Sequence, residues 1–167
     1  MTAARLKVYL GAIGYGGLAH ADFMTSVLAL RPACRALGVS LQVDLVGGEA
    51  LVSRGHAAMM AKFLASEATH LLLTESDRGF AVDRVFELLG SGEAVAAESG
   101  LLLVGRDAAR RMVDGYPDLK AWLEAASNPG TAQAAMVFDP LIEGDGRYVY
   151  DMEAFHRRWL DLSARPV

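Results

Sequence analysis

Glu75-Ser76-Asp77 puts two carboxylates one residue apart where a short apolar run ends. Acids so spaced can project toward a common point as the chain leaves a pleated strand. Their repulsion makes the pair costly unless a positive charge lies between them. A divalent cation bridging a diphosphate answers that cost, because Mg²⁺ and Mn²⁺ take oxygen ligands and leave coordination open for phosphate. The alternative reading is a helix start, with Ser76 or Asp77 capping the helix that follows. A second group is Gly14-Tyr15-Gly16-Gly17, where glycines let the backbone approach a base or phosphate and Tyr15 could stack on a ring. No Gly-Lys-Ser/Thr follows it and no third glycine falls at the dinucleotide-binding offset, so a plain glycine-rich turn is the alternative there. Arg54 could pair with a phosphate; His56 could do so when protonated, but reads first as an ordinary surface histidine. Asp151 and Glu153 open the last helical pattern. Acids in a first turn are favoured by the helix dipole, and either could also serve as a general base facing an acceptor. His20 and His70 read as structural, and Cys34 as a small buried residue.

These groups need elements to position them. Residues 6–13 form an apolar, β-branched and aromatic run that reads as a buried strand. A helical pattern starts near Asp22, with Pro32 expected to kink it, end it or restart a turn, and Gly38 to close the segment. Residues 39–45 alternate apolar and polar and read as a second strand, broken by Gly47-Gly48. A helix is expected over 50–64. The continuous apolar run 69–74 suits a central parallel strand buried on both faces. Further along come a helix over 82–89, a strand over 101–104 and a helix over 107–113. Trp122 and Leu123 belong to a short amphipathic piece, and Ser127-Asn128-Pro129-Gly130 marks a turn. A strand over 135–138 and a helix over 151–162 complete the pattern. The alternation predicts a single-domain α/β fold, with a mostly parallel sheet flanked by helices. In such sheets ligands bind beyond the carboxyl ends of the strands. That rule selects the loop at 14–17, the turn at 46–49 that includes Glu49, and residues 75–77.

Composition narrows the possibilities further. The 167 residues are 53% hydrophobic and 22% charged, enough apolar material for one core and too much for disorder. A net charge of −4 argues against a broad nucleic-acid-coating surface. One cysteine excludes a disulfide framework and a cysteine-based zinc site. No apolar run reaches the roughly 18–20 residues that span a bilayer, and the start of the chain reads as strand and loop, so a cytoplasmic protein is expected.

The order of segments resembles the family 2-like glycosyltransferases with the GT-A fold, of small bacterial and phage type. Four stretches carry the likeness: the first strand with Tyr15-Gly16-Gly17; Glu49-Ala50-Leu51-Val52-Ser53-Arg54-Gly55-His56, followed by Lys62-Phe63-Leu64 and Thr69-His70-Leu71-Leu72; Glu75-Ser76-Asp77-Arg78-Gly79-Phe80, which is similar to the family's Asp-x-Asp-x-Gly-Phe; and Gly144-Asp145-Gly146-Arg147-Tyr148 through Trp159. Gly100-Leu101-Leu102-Leu103-Val104 with Tyr116-Pro117 also fits. The resemblance implies a nucleotide-diphospho-sugar transferase with a nucleotide sugar as donor and a hydroxyl group as acceptor. Nucleic acid would enter only as that acceptor, and a homo-oligomer could complete the pocket. Tyr15, Gly16, Gly17, Glu49, Arg54 and Ser76 would line the donor site, Glu75 and Asp77 would hold Mn²⁺ or Mg²⁺, and Asp151 or Glu153 would supply the base. The departures are Glu75 for the family's first aspartate, His56 for its second arginine, Ala57 for the next asparagine, Met152 within its acidic pair, and a short stretch between Gly92 and Gly100. They motivate a second reading, a catalytically degenerate module that binds or scaffolds. A nucleotidyltransferase of another α/β family is a third.

Overall fold

The computed structural model describes residues 5–47, 52–98 and 100–115. Strand β1 (Lys7–Gly14) leads through a 3₁₀ turn (Tyr15–Gly17) into helix α1 (Ala21–Ala36). Then come β2 (Ser40–Gly47), α2 (Val52–Ala65), β3 (His70–Glu75), α3 (Val82–Gly90), β4 (Val95–Glu98), β5 (Leu101–Gly105) and α4 (Arg106–Gly115). The five strands form one sheet in the order β2-β1-β3-β5-β4.

The continuous apolar runs are explained by burial on both faces. Side chains alternate across a strand, so each central strand feeds two cores. Val8, Leu10 and Ala12 of β1, Leu72 of β3, and Leu101 and Leu103 of β5 pack with Phe23, Val27 and Leu30 of α1 and Val85 and Leu88 of α3. Tyr9, Leu71, Leu73, Leu102 and Val104 face the other way, onto Met59, Met60 and Phe63 of α2 and Ala108, Ala109 and Met112 of α4. The result is a sheet between two helical layers. Among the described residues, no helix is long and apolar enough to cross a membrane.

The expected α/β architecture holds, and the sheet is mixed. Strands β2, β1 and β3 run parallel, whereas β5 is antiparallel to both β3 and β4. Residues 99–100 alone join β4 to β5. A link that short permits only an antiparallel pair, since a parallel return needs a crossover of a dozen residues or more. Strand β4 had no expectation attached to it, because Val95-Ala96-Ala97-Glu98 carries little strand propensity of its own. Pro32 does not end α1, which continues through it to Ala36. The expected elements at 122–123, 127–130, 135–138 and 151–162 lie outside the described residues.

Two polar devices fasten the layers. The Arg106 side chain reaches back to the carboxyl end of α2, where its guanidinium donates to the carbonyls of Phe63 (2.8 Å), Leu64 (3.2 Å), Ser66 (2.7 Å) and Ala68. It also lies 4.7 Å from the centre of the Phe63 ring. The last carbonyls of a helix have no partners within it, so one planar cation satisfies what the helix leaves open. On the other side of α2, Asp44 accepts from the Tyr9 hydroxyl (2.7 Å) and the Lys62 ammonium (2.9 Å), tying edge strand, central strand and helix together.

Arg106→Met keeps the apolar stem and removes the donors. It is expected to cost about 1–3 kcal/mol, the usual penalty for leaving partly buried acceptors unmet, read from urea unfolding midpoints. An unchanged midpoint would refute the capping role. At Asp44, burial pushes the carboxyl up, but the Lys62 and Tyr9 hydrogen bonds and the Lys62 charge outweigh it and hold the carboxyl below its ordinary range. The stability this confers is present above the unfolded pKa of about 4 and is lost as pH falls through the lowered native value. Asp44→Asn should therefore lower the melting temperature at neutral pH, with the deficit shrinking in acid; a deficit independent of pH would show that the charge plays no part.

Candidate functional site

The carboxyl ends of the three parallel strands meet around Ser76. Its backbone N–H donates to the Ile13 carbonyl (2.9 Å) and its carbonyl accepts from the His20 N–H (2.7 Å). Its hydroxyl donates to the Leu18 carbonyl (2.8 Å), and the residue is only 1% exposed. The chain leaving β3 is thus stitched to the end of β1 and to the loop after it. Glycine is required here by space. A Cβ at Gly14 would lie 2.7 Å from both the Ser76 hydroxyl and the Leu18 carbonyl oxygen, and one at Gly47 would lie 2.8 Å from the Gly17 Cα. Gly17 itself has φ +74°, a conformation that other residues rarely adopt. The glycine loop of the sequence is therefore a close three-strand junction.

The following loop is anchored as firmly. The Phe80 N–H donates to the Ser26 hydroxyl (2.8 Å), which in turn donates to the Asp22 carbonyl (3.0 Å). Phe80 also meets Phe23 edge to face, with ring centres 6.2 Å apart. These contacts exclude the capping alternative for Ser76 and Asp77. Helix α3 starts at Val82, its cap position is Ala81, and that cap makes no side-chain hydrogen bond. The acidic pair belongs to the turn beyond β3.

Glu75 and Asp77 converge on one positive charge, and that charge is Arg78. Its guanidinium lies 3.3 Å from a Glu75 carboxylate oxygen and 3.6 Å from an Asp77 carboxylate oxygen. The Arg78 stem runs over the β4–β5 turn, where a Cβ at Gly100 would stand 3.2 Å from its Cδ. The two acids differ in setting: the Glu75 side chain is 18% exposed and that of Asp77 71%. Burial chiefly, and then the Asp77 charge, push the Glu75 carboxyl above its ordinary range, against the pull of Arg78. As hard oxygen donors the two carboxylates suit Mg²⁺ or Mn²⁺, which keep part of their coordination for phosphate or water. Among the described residues, no group of three or more His, Cys, Asp or Glu side chains is placed to hold a metal ion.

The remaining candidates are distributed unevenly. Tyr15 opens the 3₁₀ turn and Arg54 lies at the start of α2, so the backbone of both belongs to the carboxyl edge, while their side chains are outside what is described. Gly16 and Gly17 are exposed in the junction loop. Glu49, Asp151 and Glu153 lie outside the described residues. His56 is 1% exposed, which corrects the expectation of a surface histidine. Helix α2 lies so close to β1 that a Cβ at neighbouring Gly55 would meet Ile13 at 2.9 Å, and that packing draws His56 inward. Cys34 is buried as expected. His20 sits exposed just before α1, and the ring of His70 stands 3.0 Å from the Thr69 hydroxyl. Arg78 went unrecognised in the sequence although it directly follows the acids; its place three residues after Glu75 was the available clue.

A carboxylate whose native pKa is raised costs stability once it ionises. That cost is absent below the unfolded pKa of about 4 and is complete above the raised native value. Glu75→Gln is therefore expected to raise the melting temperature at neutral pH and to give no advantage in acid. A variant less stable than the parent at neutral pH would show that the Arg78 contact outweighs burial.

Compared with protein-family models, with curated proteins and with solved structures, the chain has no significant match.

Proposed function

We propose that the chain is a small metal-dependent glycosyltransferase of GT-A type, moving a sugar from a nucleotide-diphosphate donor to a hydroxyl acceptor. The observation that supports this most is the convergence of Glu75 and Asp77 on a single positive charge at the carboxyl edge of a central strand. Ligands of open α/β sheets bind at that edge. Glu75 and Asp77 would hold Mn²⁺ or Mg²⁺, which when bound would neutralise the departing diphosphate. Tyr15, Gly16, Gly17, Glu49 and Arg54 would bind the donor, and Ser76 would act by holding the loop that carries the first three. In the transfer, the acceptor oxygen bonds to the sugar's anomeric carbon as the bond to the diphosphate breaks. The acceptor proton passes to Asp151 or Glu153. Nucleic acid has a place here only as acceptor. A homo-oligomer and a cytoplasmic location belong to the same proposal.

Arg78 favours a second reading. It meets both carboxylates from within the chain, so their repulsion is already countered without a metal. A degenerate module that binds or scaffolds would retain such an arrangement.

Calorimetry with a panel of nucleotide sugars, with and without Mn²⁺, separates the two. The transferase reading expects donor binding that requires Mn²⁺, loss of at least about tenfold in affinity in Asp77→Ala, in keeping with removal of a charged contact, and release of a nucleoside diphosphate on addition of acceptor. Absence of metal-dependent binding at millimolar donor would overturn it and leave the binding module. Pyrophosphate as product would point to a nucleotidyltransferase.

A further inference from the structure

A cavity lies at the opposite edge of the sheet from Glu75. It has a volume of about 600 Å³ and opens between the last turns of α1 and the beginnings of β1 and β2. That size falls within the range of small-molecule sites, roughly 300–1,000 Å³. Arg5, Arg31 and Arg35 line it, together with the apolar surfaces of Pro32, Cys34, Val39 and Leu41. Among the described residues, no acidic side chain lines it.

The three arginines are the unusual feature. A basic residue in the last turn of a helix is favoured by the helix dipole, which accounts for Arg35. It does not account for Arg31, one turn earlier on the same face, because like charges four residues apart repel. Nor does it account for Arg5, which comes from another part of the chain. Arg5 is held by a hydrogen bond from its Nε to the Gly38 carbonyl (3.0 Å), which fixes the guanidinium and leaves its two terminal nitrogens for other acceptors. Among the described residues, none of the three forms an ion pair with a carboxylate. Arginine presents planar, paired donors that match the oxygens of a phosphate, so an anion is the group that would relieve this repulsion.

We infer that this cavity is a second binding site, for a small organic phosphate. Its anionic end is taken by Arg5, Arg31 and Arg35 and its apolar end rests on Val39, Leu41 and the Pro32 ring. The site is independent of the carboxyl edge, so it holds whether or not the chain is a transferase.

Titration calorimetry on the full chain, in a phosphate-free buffer, tests this with inorganic phosphate, phenyl phosphate and phenol. Phenyl phosphate should bind, at least about tenfold more tightly than inorganic phosphate, since burying a ring adds apolar contact. Phenol should not bind. The double substitution Arg31→Gln with Arg35→Gln should weaken phenyl phosphate at least about tenfold while the circular dichroism spectrum is unchanged; both residues are exposed and carry little of the core. Arg5→Gln provides a second variant on a separate segment, with the same expected direction. Glu75→Gln should leave this binding as it is, and Mn²⁺ should not be needed. Binding of phenol equal to that of phenyl phosphate, an affinity unaltered in both arginine variants, or binding confined to long polyanions would each overturn the inference.

Discussion

The junction at Ser76 is the constraint on which the rest of the carboxyl edge depends. One residue ties the end of β3 to the end of β1 and to the loop beyond it, through its N–H, its carbonyl and its hydroxyl. Such a three-way tie needs the strands closer than side chains allow. Gly14 and Gly47 meet that need, since a Cβ at either would collide with a neighbouring segment. Backbone groups at strand ends lose their ladder partners and must find others when buried. Here they find them in one another, and the edge becomes a rigid surface. The loop over 14–17 and the acidic turn over 75–77 are positioned by the same contacts.

A rigid edge makes unfavourable electrostatics tolerable. Glu75 is poorly exposed, stands beside Asp77, and has its carboxyl pushed up by burial and by that neighbour. An isolated chain could relax the strain by letting the acids diverge. In the fold, Arg78 lies against both and shares the two charges. Groups held in costly settings at the mouth of a sheet are frequent at functional sites, and they also occur as structural ion pairs. The proposed cation site and a self-neutralised module differ in whether Arg78 yields to a metal.

The two ends of the sheet are opposite in character. Carboxylates gather where the parallel strands finish, and guanidinium groups gather where β1 and β2 start and α1 ends. Between them lie two apolar layers, so the charged ends are separated by the length of the strands. Helix α2 is fastened at one end by Arg106 and along its length by Lys62 through Asp44. Neither contact touches the candidate site. Both hold the helix whose start contributes Arg54 to the carboxyl edge.

Much of this architecture was legible in local pattern. Runs such as Leu71-Leu72-Leu73 are apolar at every position because both faces are covered, and that requirement is visible without coordinates. The helices followed from periodicity and glycine stops, and the acidic turn was located by the end of an apolar run. Strand β4 was hidden, because its alanines become a strand only when β5 is present to pair with them. The antiparallel reversal of β5 was hidden for the same reason, being set by a short connection and not by composition. The sequence by itself determined the α/β class, the central strands and the acids at a strand end, since these depend on neighbours along the chain. Tertiary structure alone decided that Arg78 lies between the acids, that His56 is buried, that Arg106 closes α2, and that three arginines from two segments share a cavity. Those outcomes rest on distances between residues remote in sequence, or on turn geometry that other contacts impose, and no local pattern encodes them.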